Sequence, residues 1–131
     1  MKWLALILRI LIGVPMVVFG VNYFAPFIPL DMKDAPDQAQ QLMGILIASK
    51  WMVVVKLCEI VGGVMVLVGR FVPLGLVILV PVTVNIAIWD AVILKYSMPP
   101  LGTVLLVLEI VLIYLYRSQF KSLFNANANI G

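Results

Sequence analysis

The sequence predicts an all-α membrane protein, a four-helix bundle with a short interfacial segment between its first and second helices. Three observations predict it. The chain is 131 residues long, 64% hydrophobic and 11% charged, with a mean hydropathy of +1.17, which lies outside the range of soluble globular domains. Its apolar residues fall in runs, the first near 20 residues, about what a helix needs to cross roughly 30 Å of hydrocarbon. Arg9, Lys56, Glu59, Asp90 and Glu109 interrupt these runs. A charge in hydrocarbon costs at least roughly 2.5 to 3.5 kcal/mol, so such residues belong in a bundle interior where they can be paired.

The first span is residues 3–24. Lys2 followed by an apolar run has the outline of a signal peptide, but Arg9 breaks the apolar region and no small-x-small cleavage site follows. Pro15 lies inside this span, which membrane helices tolerate when neighbours satisfy the freed carbonyl. Residues 25–48 hold Pro26, Pro29 and Pro36 together with Asp31, Asp34 and Asp37, and read as a loop. Its second half, from Pro36 through Leu42, Met43, Ile45 and Leu46, predicts a short helix lying on the membrane surface. The second span covers 49–68 and closes at Gly69-Arg70; the third, 72–93, carries Pro81 and Asn85. A tight turn from Lys95 to Pro100 leads to the fourth span, 101–116, and a short polar tail, 117–131. Residues 1–131 therefore read as a single transmembrane domain.

Lysine and arginine beside the spans set orientation. Lys2, Arg70, Arg117 and Lys121 fall on one side with Arg9 close by, against Lys33, Lys50 and Lys95 on the other. The excess predicts that both termini are cytoplasmic, in a bacterial-type inner membrane. The net charge of +3 is dispersed singly, so nucleic-acid binding is not expected and the lipid bilayer is the expected partner. Histidine is absent and Cys58 is the single cysteine. This excludes haem ligation through histidine, zinc sites, dithiol chemistry and an intrachain disulfide. Cys58, in an apolar stretch, reads as a small hydrophobe. No catalytic or metal-ligating set and no cofactor are expected, since no histidine base exists and no serine or threonine stands near a plausible activator.

The candidate site is a buried polar cluster of Arg9, Lys56, Glu59, Glu109 and Asn85. Counting 1.5 Å per residue from the cytoplasmic end puts Arg9 at roughly 9 Å, Glu109 at 12 Å, Glu59 at 16 Å, and Lys56 and Asn85 at 20 Å. The four charges sum to zero and come from three helices, as expected of buried ions that neutralise one another. Arg9 shares a helical face with Gly13, Met16 and Gly20, and Lys56 and Glu59 share one with Gly63. Arg9, Glu59 and Glu109 are expected to meet in the interior, with Lys56 above Glu59. A second pair, Lys50 with Asp90, is expected at the outer end. The cluster is open to two readings: ion pairs that fix helix register, or a site that binds a ligand or relays protons.

The segment LCEIVGGVMVLVGRFVPLG at 57–75 resembles the DoxX family of small four-helix membrane proteins, through Glu59, Gly62, Gly63, Gly69, Arg70 and Pro73. LRILIGVPMVVFGVNYFAPF in the first span, PVTVNIAIWD in the third and YRSQFKSLF at the C-terminal end are also similar to the family, so the likeness covers essentially the whole chain. Many relatives have a histidine shortly after the Asn-Ile pair, where this chain has Trp89 or Asp90; an activity resting on that histidine is not implied here. The resemblance implies a non-catalytic subunit or scaffold of a membrane assembly, a quinone-linked redox assembly in the family's namesakes, with a membrane redox partner or a homo-oligomer as its partner. The alternative is a carrier or binding protein for a small amphipathic molecule such as a quinone or lipid, suggested by proline-interrupted spans and midplane charges.

Overall fold

The structure, a computed structural model, describes residues 2–28, 33, 35–95, 100–124 and 126–127. Every regular element among them is helical. Helix α1 is Lys2–Phe24, α2 Asp37–Ala48, α3 Trp51–Val68, α4 Val72–Ile88, α5 Leu101–Leu115 and α6 Arg117–Phe120. A π-helical turn, Trp89–Ile93, extends α4, and a 3₁₀ turn, Lys121–Phe124, follows α6. Asp31, Asp34 and Pro29 of the first loop, most of the 95–100 turn and the last four residues lie outside the described residues.

Among the described residues three helices are long and apolar enough to cross a membrane: Lys2–Phe24, Trp51–Val68 and Val72–Ile93. Helix α5 is equally apolar but, at 15 residues, rises only about 22 Å. It ends because Tyr116 leaves helical geometry (φ −98°, ψ 16°) while its N–H still bonds Leu112 O. The fourth apolar run is thus shorter than the hydrocarbon it was expected to span.

The four apolar helices pack as a ring, α1 on α3, α3 on α4, α4 on α5, and α5 back on α1. Ile12, Met16, Val66, Leu76, Leu79 and Leu112 fill the centre. Outward faces are apolar too: Ile7, Leu11, Val14, Val54, Leu57, Val61, Leu74, Val77, Val104 and Val107 are exposed. A soluble fold would bury such surface, whereas a bilayer solvates it. Helix α2 sits at the opposite end from the chain's start. Ala35 and Ala39 pack there against Leu94, Trp89 and Ile93, while Ile45 and Ile47 remain exposed.

Small residues let the helices approach closely, as in other membrane bundles. A Cβ at Gly62 would fall 2.7 Å from Leu79 Cγ and 3.1 Å from the Gly75 carbonyl oxygen. Gly62→Leu is therefore expected to push α3 off α4 and destabilise the bundle by about 1–3 kcal/mol, the usual cost of overpacking. Thermal unfolding in detergent measures it; unchanged stability would mean that the α3–α4 seam is loose.

Candidate functional site

Four of the five intramembrane charges can be followed to the group that receives them. On α3, Lys56 Nζ and Glu59 Oε2 are 2.9 Å apart, one turn from each other, with side chains 20% and 4% exposed. The i,i+3 spacing puts both on one helical face. The glutamate is buried, and the lysine's longer stem leaves its ammonium partly accessible.

Arg9 does something else. Its Nε donates to Val66 O (2.9 Å) and its Nη2 to Leu67 O (3.2 Å). These are carbonyls of the last turn of α3, which have no partner within their own helix and carry the negative end of its dipole. Gly69, the residue after that turn, is left-handed at φ 85°, and the guanidinium lies where a side chain on Gly69 would stand. Glycine is needed here twice, for the backbone conformation and for the space. The expected meeting of Arg9 with Glu59 and Glu109 does not form: Arg9 makes no ion pair with either. The helix end lies level with Arg9, whereas Glu59 is seven residues deeper along α3, about 10 Å.

Glu109 is fully buried in α5, and neither carboxylate oxygen has a hydrogen-bond partner. Thr83 of α4 stands beside it, but the Thr83 hydroxyl donates to Leu79 O at 2.9 Å. Asn85 is not part of this interior. It is exposed and its Nδ2 donates to Pro81 O, 2.9 Å away. Two residues along a helix turn through about 200°, so with Thr83 inside, Asn85 must face outward, self-satisfied on its own helix.

The expected Lys50–Asp90 pair is absent as well. Lys50 is exposed at the corner between α2 and α3, in a left-handed conformation (φ 62°). Asp90 is buried, and its Oδ2 accepts the backbone N–H of Thr103 at 3.2 Å. Thr103 lies in the first turn of α5, where N–H groups lack intrahelical acceptors. Asp90 thus caps α5 from another helix. The π turn that contains it inserts an extra residue per turn and rotates it off the α-helical register. Asp90→Ala should lower stability by about 1 kcal/mol, the usual worth of a capping side chain. Asp90→Asn should retain most of it; equal losses in the two melting curves would exclude the cap.

Asn22, which the sequence reading passed over, is another buried polar anchor. Its Oδ1 accepts the N–H groups of Phe27 and Ile28 (2.9 and 2.8 Å), and its Nδ2 donates to Ile28 O (3.1 Å). It ties the chain leaving α1 back onto the helix. A lone amide just before a Pro-rich loop was the available signal. Among the described residues no group of three His, Cys, Asp or Glu converges as a metal site would require.

A sequence model of the DoxX family matches residues 4–91, which takes in α1 to α4 and the charges from Arg9 to Asp90. The chain belongs to the DoxX family. Neither a curated protein nor a solved structure matches it. Within this DoxX protein the matched segment holds Arg9, the carbonyls it caps and Gly69, together with Lys56 and Glu59. Glu109 and the C-terminal helices lie beyond the match.

Proposed function

We propose that this DoxX protein is a non-catalytic subunit or scaffold of a membrane assembly, seated in a bacterial-type cytoplasmic membrane with both termini on the cytoplasmic side and with α5 completing the membrane bundle. One observation carries the reading: most polar groups of the interior serve the bundle itself. Arg9 closes α3, Asp90 starts α5, Asn22 fastens the first loop and Lys56 neutralises Glu59. A site that binds and releases substrate keeps polar groups open toward a cavity, and these are committed to partners within the chain. The resemblance of the sequence to a family named for subunits of a quinone-linked complex supports a redox assembly as the setting.

Glu109 favours the second reading, a carrier or binding protein for a quinone or lipid, because its buried carboxylate has no partner. Purification of the full chain in mild detergent, followed by mass spectrometry of co-isolated proteins, quinones and lipids, separates the two. A stoichiometric protein partner is expected. A homo-oligomer without a protein partner, carrying one quinone or lipid per chain that Glu109→Gln releases, would replace the subunit reading with the carrier. Reporter fusions at the C-terminus test orientation, and an external reporter would reverse it.

A further inference from the structure

The break between α5 and α6 makes a groove at the end of the bundle where the chain begins. Leu115, Arg117, Ser118 and Lys121 line it. The Arg117 guanidinium lies over the Tyr114 ring, 4.4 Å from its centroid, and its Nη1 donates to Tyr114 O at 3.0 Å. One hydrogen bond and one stacked face hold the group in place while leaving most of its five N–H donors unused. Lys121 is exposed one turn further on, and Ser118 adds a hydroxyl between the two cations.

No described carboxylate answers this charge. Glu59 and Glu109 are buried, and Asp37 and Asp90 lie at the opposite end of the bundle. Above the groove's basic mouth is the aqueous side; below it, Val107, Ile110, Val111 and Tyr114 form an exposed stripe along α5 at helical spacing. A tyrosine at the head of an apolar stripe marks the level of lipid headgroups. Two cations and a hydroxyl directly above that level suit a phosphate whose remainder is apolar.

We propose that Arg117, Ser118 and Lys121 bind the phosphate of an anionic glycerophospholipid whose acyl chains lie along the α5 stripe. The site belongs to the lipid-facing surface and does not depend on whether the protein is a subunit or a carrier. The probe is native mass spectrometry of the full chain in detergent, presented with equal amounts of phosphatidylglycerol and phosphatidylcholine.

The wild-type chain is expected to retain phosphatidylglycerol in preference. Each cation near an anionic headgroup is worth about five-fold in binding, so Arg117→Gln and Lys121→Gln should each lower that preference by about this factor and together abolish it. Lys2→Gln with Arg70→Gln removes the same charge from the same end but outside the groove, and should leave the preference in place. If Arg117→Gln alters the melting curve through the lost Tyr114 contact, Lys121→Gln alone carries the test. Equal retention of the two lipids, retention by the double groove variant, or an equal loss in the Lys2/Arg70 variant overturns the site. Displacement of the lipid by inorganic phosphate at equal concentration would show a free-anion site instead and also overturns it.

Discussion

Arg9→Met will destabilise the bundle by about 3 kcal/mol even though Arg9 has no carboxylate partner. Two hydrogen bonds from a charged donor are lost, each worth about 1.5–3 kcal/mol. The Val66 and Leu67 carbonyls that accept them stand at a helix end inside the membrane bundle, where few other donors exist. Arg9→Lys should recover part of the loss, since an ammonium is a compact point charge and lacks the planar fork that spans two carbonyls. Gly69→Ala attacks the same contact from the other side. It forces alanine into φ 85° and places a methyl group in the space of the guanidinium. The two changes act on one interaction, so the Arg9→Met/Gly69→Ala pair should be less damaging than the sum of its parts. Unfolding curves in detergent measure all four proteins. Wild-type stability in Arg9→Met would mean that water or lipid headgroups already satisfy those carbonyls.

The elements were legible because the signals that delimit membrane helices are local. The apolar runs, the Gly69 stop, the proline at the start of α2 and the glycine seams are all visible in the chain itself. Partnerships among the charges were not, for three separate physical reasons. Depth counting gives the level of a residue but not its direction around the helix axis, so Asn85 was placed in the interior although it points away from the buried face that holds Thr83. It also considers only side chains as partners, whereas unsatisfied backbone groups at helix ends compete for every buried ion: Arg9 went to the carboxyl end of α3 and Asp90 to the amino end of α5. Finally, a π turn changes the phase of all that follows, and nothing in the WDAVI composition announces one. The length of α5 was readable in part, since the apolar run from Leu101 to Tyr116 is already short for a perpendicular span.

Lys56→Met will be more damaging than Glu59→Gln, and the asymmetry distinguishes the uses to which this ion pair can be put. With the lysine gone, the Glu59 carboxylate is left with its side chain only 4% exposed and no other cation beside it. Stranding one member of a buried pair costs about 3–5 kcal/mol. The reverse change strands the lysine, whose side chain is 20% exposed and long enough to carry its ammonium toward water. Glu59→Gln should therefore lose only about 1–2 kcal/mol, the worth of a hydrogen bond to a charged group. Lys56→Met combined with Glu59→Leu removes both ions and should come close to the wild type, because desolvation offsets most of what a buried pair gains. Thermal unfolding of these variants in detergent, with Glu59→Leu alone added, closes a double-mutant cycle, and the double change is expected to cost far less than the sum of the Lys56→Met and Glu59→Leu losses. A pair that serves a ligand behaves differently. Glu59→Gln would then melt like the wild type yet lose whatever molecule co-purifies with the protein. Lys56→Met would be no less stable than Glu59→Gln, and that order of stabilities would refute a structural pair.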